Sequence, residues 1–541
     1  MTGDPRQTVA IIPAEAKARH APLLAAFEEA YPVRFADADG GDAHKASGVV
    51  VFPGGSRPQR LAAPCLVLQG PRAEDERNTS FTVTFPRADE LHRALHGQRL
   101  VEHGRRPPPA VAIPAGGRAL ALAGGRPIWT QSDPRDGDCQ VVSAVPDALG
   151  EHEFLRDHLT AGRFWSLLPV VQFVRRIALG DSERSSPLRA CFVIDDPNVR
   201  FSSYGHVHFR ELARDARECG YHVAVATIPL DLLLPGCRAV GVFREHPSEL
   251  SLVVHGNDHV HRELERRRSA AAAERMIMSA AARVARFEPR TGIRIDRLMC
   301  PPHGGCSEQT LEALFRCGFL GLAASRPFPW EGFSDHLRWR LGGWLPAQMG
   351  GGGLPVLPRY PLGRSLDDLV FRAFLDQPLI VYCHHDDLRH GLAPLRAAAA
   401  RAAELGDVRW MSLASIARAS AACRDEGAVA TVTPYSRDLR IRRPAAPTIE
   451  IEIPRTFGAG DALRVVVDGM PHDVRLRPDG GGTVVVANPA TTDGLRIRID
   501  ARGDVAPATL RDWRPRAWPV ARRAMTEARD RTLPLLHTLR R

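Results

Sequence analysis

The stretch CFVIDDPN, residues 191–198, joins a short apolar run to two adjacent carboxylic acids. An apolar run with no alternating polar residues is typical of a strand buried on both faces of a parallel sheet. Successive side chains at a strand end point in different directions, so Asp195 and Asp196 are expected to serve different partners. The alternative is a turn or helix cap before Pro197, because Asp, Asn and Pro are common turn residues.

Three further apolar runs also end in polar clusters. They are SLVVHGNDHVHREL (251–264), RLMCPPHGG (297–305) and LIVYCHHDD (379–387). In βα barrels, functional groups gather where the strands end. The repetition therefore indicates one site assembled from several strand ends.

Strand-like and helix-like segments alternate throughout the centre of the chain, which predicts a parallel sheet or a (β/α) barrel. The fold class predicted is α/β, with a flavodoxin-like α/β domain before the barrel and an antiparallel β module after it. The first of these resembles glutamine-amidotransferase-type domains in layout. The predicted divisions are 1–130 (flavodoxin-like domain), 131–185 (connector with a helix), 186–425 (barrel), 430–505 (small β-sandwich-like domain) and 506–541 (helical basic tail). The segments GLPVLP and LPRYPLGRS, near 353–365, predict a long loop over one face.

The formal charge of +10 would suggest nucleic acid, but the arginines are interspersed with acids in the sequence. We therefore expect no nucleic-acid partner. No apolar run approaches the roughly 18 residues of a membrane helix, and the first residues do not resemble a signal peptide. The ten cysteines include no CxxC pair, so a disulfide framework is not expected. A cytoplasmic protein is expected, with no membrane partner; a homo-oligomer is compatible with the sequence.

His255 and His259, four residues apart, have the residue types of a metal site when they are combined with an Asp from another strand end. A catalytic divalent metal commonly has three protein ligands and one position open to water. Zn²⁺ is the metal expected for Asp, His and His, and Co²⁺, Ni²⁺ or Mn²⁺ would also fit. His261 is expected to lie outside the ligand set, and Asp258 is either a substrate group or a helix N-cap.

In order along the chain, VIDDPN, HGNDH, CPPHGG and IVYCHHDD resemble the motifs of polysaccharide deacetylases, carbohydrate esterase family 4. The resemblance covers about 190–390 and implies a (β/α) barrel of polysaccharide-deacetylase type. It implies that Asp195 is the general base, that Asp196, His255 and His259 are the metal ligands, and that His384 is the general acid. The reaction implied is removal of an N-acetyl or O-acetyl group from a saccharide by attack of metal-bound water.

Two features depart from the pattern, the first being that Cys300 stands where the family has an arginine that helps hold the base. Arg297 is the nearest arginine in sequence. The family's fourth motif, an Asp–Trp pair, is also not evident. We expect four residues near these motifs to contact the substrate: Tyr204, Pro302, His303 and His385.

The sequence predicts a metal-dependent carbohydrate deacetylase whose partner is a saccharide substrate. Two alternatives stay open. One is an inactive protein that binds metal or carbohydrate without turnover. The other is a glycosidase on a related barrel, which requires two carboxylates flanking the scissile bond and does not require the histidine pair.

Overall fold

The computed structural model describes residues 6–37, 42–58, 61–70, 79–133, 135, 137–180, 187–330, 340–350, 353–425, 427–454, 457, 463–478, 480–488, 493–501 and 514–539. The chain is a mixed α/β protein with several sheets. It divides into two units after residue 186, and the first unit also takes in Asp335–Leu345 and Asp367–Leu375. The five divisions predicted from the sequence stay predictions.

The first unit is built on a nine-stranded sheet in the order β2-β1-β3-β4-β9-β8-β7-β5-β6. Its elements up to residue 186 are β1 (Gln7–Ile12), α1 (Ala14–Arg19), α2 (Ala21–Ala30), β2 (Val33–Asp37), β3 (Gly48–Val51), β4 (Cys65–Leu68), β5 (Ser80–Thr84), β6 (Arg99–His103), β7 (Arg118–Ala123), β8 (Arg126–Gln131), β9 (Cys139–Val142) and α3 (Leu168–Leu179).

Half of this sheet is parallel and half is antiparallel. β2, β1, β3, β4 and β9 pair in parallel, whereas β9, β8, β7, β5 and β6 pair antiparallel. A flavodoxin-like domain, as predicted for residues 1–130, has a parallel sheet, and strands β5 to β8 depart from that expectation. Only Gly124 and Gly125 separate β7 from β8, and such a short connection permits a hairpin but no crossover.

The second unit contains a ten-stranded sheet, whose main path runs β17-β18-β16-β15-β14-β13-β10-β20-β19, with β21 beside β10. The elements of this part of the chain are β10 (Leu188–Asp195), β11 (Ser203–Tyr204), β12 (Val207–His208), α4 (Phe209–Cys219), β13 (Val223–Thr227), α5 (Cys237–Glu245), β14 (Leu250–Val254), α6 (Ala270–Thr291), β15 (Ile295–Met299), α7 (Glu308–Arg316), β16 (Gly321–Ala324), β17 (Gln348–Met349), β18 (Pro355–Pro358), β19 (Tyr360–Pro361), α8 (Asp368–Phe374, in the first unit), β20 (Leu379–His384), α9 (Ala393–Ala403), β21 (Val408–Trp410) and α10 (Leu413–Arg418).

Strand β10 lies at the centre of this sheet, between β13 and β20, and all three run parallel. From Ala190 to Asp195 every residue of β10 is buried, in agreement with its uninterrupted apolar sequence. The register pairs Asp195 at the end of β10 with His384 at the end of β20. The acids and histidines noted in the sequence therefore come together at the carboxyl ends of neighbouring strands.

The prediction of a long loop near 353–365 was wrong, because this segment contributes β18 and β19. β18 pairs with β16, and β19, one residue later, pairs with β20. Its prolines are tolerated because each strand is very short. Arg359, between the two strands, still donates its backbone N–H to the carbonyl oxygen of Ala324. The segment that contains β18 and β19 therefore pairs with β16, at one end of the series of parallel strands, and with β20, at the other end. Closure into a complete barrel stays a prediction.

The remainder of the second unit holds two smaller sheets, ordered β22-β23-β25-β29-β28 and β24-β30-β26-β27, and a C-terminal helix. Alternating residues of these strands form a separate apolar core that includes Val432, Ile451 and Ile497. The elements are β22 (Ala421–Asp425), β23 (Val429–Pro434), β24 (Asp438–Arg442), β25 (Thr448–Ile453), β26 (Leu463–Val467), β27 (Met470–His472), β28 (Arg475–Leu476), β29 (Gly482–Ala487), β30 (Gly494–Ala501) and α11 (Ala517–Leu539).

Candidate metal centre

His255 is the first residue after β14, and its orientation is fixed by the backbone of the neighbouring strand end. Its N–H donates to Thr227, and its Nδ1 lies 2.8 Å from the carbonyl oxygen of Cys300. A carbonyl only accepts, so Nδ1 must carry a proton, and in the neutral imidazole Nε2 is left as an acceptor. This Nε2 faces Asp196 Oδ1 at 3.5 Å. A backbone carbonyl that fixes the tautomer in this way is typical of histidines that bind metals.

The loop after His255 is held by the carboxylate of Glu263. Its Oε1 accepts from the N–H groups of Asn257 (2.7 Å) and His259 (2.9 Å), and its Oε2 accepts from Asp258 (3.1 Å). Gly256 has φ +69°, and a Cβ atom there would lie 2.2 Å from Glu263 Oε1. Only glycine therefore lets the loop wrap this closely around the carboxylate.

Arg283, buried on α6, secures the same loop from the other side. Its Nη1 donates to the Oδ1 of Asn257 at 2.9 Å and to the Oδ1 of Asp258 at 2.5 Å. Asp258, left open between a substrate group and a helix cap, thus forms an ion pair with the helix. The loop is therefore fixed by charged groups on both sides, which preorganises the position of His259.

Asp196, His255 and His259 come together with potential ligand atoms within 4.8 Å of one another. Asp196 Oδ1 lies 3.2 Å from His259 Nε2 as well as 3.5 Å from His255 Nε2. Ligands about 2.0–2.1 Å from a tetrahedral zinc ion would be about 3.3 Å apart. Asp196 Oδ1 is buried and has no hydrogen-bond partner among the described residues. This donor set fits a divalent cation.

The electrostatics favour the protonation states that metal binding requires at His259 and Asp196, whereas at His255 burial is outweighed by Asp195 and Asp196, which raise the pKa of the imidazole. Burial disfavours the charged form of His259, and with the nearby His255 it lowers the pKa of the His259 imidazole to about 3. Burial opposes ionisation of Asp196, but His255 and His259 outweigh it and lower the pKa of its carboxyl group. At neutral pH a carboxylate and a neutral imidazole therefore face the same point, as metal ligation needs.

Backbone strain is concentrated at this point. Asp196 (φ 83°), His259 (φ 54°) and His303 (φ 64°) all lie in the left-handed region, which non-glycine residues adopt rarely. Such conformations persist where the surroundings determine them, and they cluster at functional sites. At Asp196 the consequence is that its side chain turns to the histidines while Asp195 continues the strand.

Asp195 is buried beside this cluster and is neutralised by Arg359. The Arg359 Nη1 donates to Asp195 Oδ1 at 2.8 Å, and the two side chains are 2% and 3% exposed. Burial opposes ionisation of Asp195, but Arg359 and His255 outweigh it and lower the pKa of its carboxyl group. The Arg359 guanidinium also lies 4.4 Å from the ring centroid of Tyr382. Arg359, and not a residue at position 300, is therefore the arginine that pairs with Asp195.

Arg297, considered for that role because of its place in the sequence, lies elsewhere. Its Nη2 donates to Glu288 Oε2 at 3.0 Å, on helix α6. Because it points to a helix rather than to the strand ends, its closeness in sequence to Cys300 gave no information about the partner of Asp195.

His384 is exposed at the end of β20, level with Asp195 on the adjacent strand. The carboxylate of Asp387 accepts from the His384 backbone N–H at 2.8 Å. This bond fixes the turn at the strand end, and the imidazole is exposed to solvent. Such a position is suited to exchanging a proton with a bound molecule.

The remaining predicted site residues fall into two groups. His303 is exposed, and its ring centroid lies 6.0 Å from that of His259 and 5.1 Å from that of His261. Pro302 is buried, and it lies 2.8 Å from where a Cβ of Gly256 would be. His303 is therefore at the rim of the cluster, whereas Pro302 packs beneath the loop.

Tyr204 and His385 belong to a different group, under helix α11. The Tyr204 hydroxyl donates to Asp530 Oδ2 at 2.7 Å, and His385 Nε2 lies 3.7 Å from the same oxygen. Both side chains are buried. Their predicted substrate contacts stay predictions, and the structure shows that both face the C-terminal helix.

Sequence reasoning missed three residues that complete the site: Glu263, Arg359 and Arg523. Arg523 on α11 donates from Nη2 to the carbonyl oxygen of Asp196 at 2.8 Å and from Nε to the fully buried Asp231 at 2.7 Å. The sequence does contain a signal that Arg359 lies in the sheet, because the short apolar runs on either side of it are compatible with strands. Neither of the other two has a recognisable local pattern.

The chain was compared with proteins of known family, function or structure. No protein-family model matches it, and no curated protein matches it in sequence. Among solved structures, a family 4 carbohydrate esterase from Streptomyces lividans, in complex with acetate, is 11% identical over 42% of this chain and 94% of that one, with a TM-score of 0.25.

Two other solved structures match at a similar level. The Xyl-CE4 domain of a multidomain xylanase, from the hindgut metagenome of Trinervitermes trinervoides, is 8% identical over 43% of this chain and 90% of that one, with a TM-score of 0.25. A bacterial fucosidase with an inhibitor is 10% identical over 59% of this chain and 94% of that one, with a TM-score of 0.23.

Among the described residues, none of the helices combines the length and the apolar character needed to cross a membrane.

We expect Glu263→Gln to weaken zinc binding about tenfold, because the amide nitrogen would face the N–H of Asp258 instead of accepting from it. Isothermal titration with zinc would measure this loss. The matched control is Glu265→Gln, which changes a nearby carboxylate that contacts Arg262 and Arg326. Equal zinc affinity in the Glu263 variant and the wild type would contradict the role of this carboxylate.

Arg359→Met should destabilise the fold by about 3–5 kcal/mol, because it leaves Asp195 buried without its cation. Chemical unfolding would measure the free-energy difference. The double variant Arg359→Met/Asp195→Asn should be more stable than Arg359→Met alone, since it removes the unpaired charge. If the double variant were the less stable of the two, the ion pair would not be the reason for the loss.

Proposed function

We propose that the second unit is a metal-dependent hydrolase that removes an acetyl group from a saccharide. The observation that carries the proposal is the cluster of Asp196, His255 and His259 beside Asp195 and His384. A bound divalent cation, Zn²⁺ by preference, would polarise the acyl carbonyl and acidify a water molecule. The proposed ligand set has three members, so it leaves a position open, as catalytic sites do.

Asp195 is proposed as the general base. Arg359 holds its Oδ1, which directs the proton from the attacking water to Oδ2. Because Arg359 and His255 lower its pKa, the carboxylate is ionised and able to accept over the whole neutral range. The ion pair also fixes the orientation of the carboxylate, so that the accepting oxygen stays beside the cluster.

His384 is proposed as the general acid that protonates the leaving nitrogen or oxygen. It stands level with Asp195 on the neighbouring strand, and its exposed side chain can reach a bound molecule. The base and the acid would then act from adjacent strand ends, one buried and one open to solvent. His303, at the rim beside His259, is positioned to contact the sugar.

Replacing both His255 and His259 with Ala should lower the zinc content by one ion per chain and abolish acetate release, because only Asp196 would remain of this ligand set. Metal analysis after dialysis against zinc, together with enzymatic acetate assays on N-acetyl and O-acetyl saccharides, would test this. Arg297→Met serves as the control, because it changes an arginine that contacts α6. Wild-type protein that holds no metal at this centre would overturn the proposal.

Asp195→Asn and His384→Gln should each lower the rate of acetate release by about 10²–10⁴-fold, with metal content unchanged, because each removes one proton-transfer group. Steady-state rates and metal analysis on the same preparations would separate these roles from ligation. Full metal loading of the wild type with no acetate release from any acetylated saccharide would exclude this activity and indicate binding without turnover.

A further inference from the structure

A second cluster of potential ligands lies at the end of β20, apart from the residues assigned above. His206, in the turn of the β11–β12 hairpin, comes near His385 and Asp386, with one potential ligand atom of each residue within 4.8 Å of the others. Asp386 Oδ1 lies 3.3 Å from His385 Nδ1 and 3.8 Å from His206 Nε2. These separations are close to the edge of about 3.3 Å expected for tetrahedral zinc.

His385 contributes a buried ring nitrogen to this cluster. It is 4% exposed, and its Nδ1 is buried without a hydrogen-bond partner among the described residues. A buried polar atom in that state costs free energy unless something binds it. Gly205, with φ +53°, makes room for the ring, because a Cβ there would lie 2.3 Å from His385 Nδ1.

The opposite nitrogen of the same ring faces a carboxylate. His385 Nε2 is 3.7 Å from Asp530 Oδ2, and that oxygen also accepts from the Tyr204 hydroxyl. Histidines that ligate metals commonly direct their second nitrogen to a carboxylate, which fixes the ring and raises its basicity. Asp386 has a side chain that is 56% exposed, so a cation can reach the cluster from solvent.

We propose that His206, His385 and Asp386 form a second site for a divalent cation, with zinc as the fitting metal. It shares no ligand with the first centre. Its histidines come from the β11–β12 hairpin and from the end of β20, and its supporting carboxylate comes from α11. Bound zinc would join these three elements and fasten the C-terminal helix, so its role is structural.

The test uses the full chain with the first centre disabled, so that it does not depend on the proposed hydrolase activity. His255→Ala/His259→Ala protein, equilibrated with zinc alone, should hold one zinc per chain. Adding His206→Ala should abolish that zinc. Adding His208→Ala instead should leave it, because His208 is an exposed histidine two residues away on the same hairpin and lies outside the cluster.

A second measurement, amide hydrogen exchange, tests the proposal even if the His206→Ala variant folds poorly. Amide hydrogen exchange of α11 in the His255→Ala/His259→Ala protein should slow at least several-fold when zinc is added, and Gly205→Ala should cancel the effect by displacing the His385 ring. No zinc in the double variant, or zinc retained after His206→Ala, would overturn the proposal. Unchanged exchange in α11 despite bound zinc would overturn the structural role.

Discussion

The ion pair between Arg359 and Asp195 is the interaction on which the arrangement of the strand ends depends. A carboxylate as deeply buried as Asp195 would not stay ionised alone, because desolvation costs several kcal/mol per ion. Arg359 supplies the charge from the single residue between β18 and β19. That segment pairs with β16 through β18 and with β20 through β19. The strands that connect these two parts of the sheet therefore also position the Arg359 guanidinium.

The neighbouring loop is also organised around a buried acidic side chain. The Glu263 carboxyl group accepts from three successive backbone N–H groups, so the loop bearing His259 closes around it, while burial raises the pKa of this group. Arg283 then ties Asp258 to α6. The histidines are thus positioned by buried polar groups that are hydrogen-bonded to their surroundings. Such preorganisation is what distinguishes a binding site from a polar loop.

Much of this organisation could be predicted from local sequence. The central strands of the ten-stranded sheet are continuous apolar runs, and Asp195, Asp196, His255, His259 and His384 were predicted as site residues because each stands at or just after the end of such a run. Arg359 was not found as the partner of Asp195, because the prolines around it suggested a loop and 164 residues separate the two. Glu263 was missed because accepting from backbone N–H groups imposes no pattern on the sequence. Arg523 and Asp530 were missed because nothing in a basic helical tail indicates which strand ends it will contact.

Helix α11 has a consequence for how the protein folds. Arg523 bonds to Asp196 across 327 positions of the sequence, and Asp530 bonds to Tyr204 across 326. Contacts between residues so distant in sequence close large loops and form late. The strands of the second unit can pair before α11 arrives, but Asp231 then has Arg200 alone of the two arginines that pair with it in the folded chain. Docking of α11 therefore adds the last hydrogen bonds to Asp196, Asp231 and Tyr204.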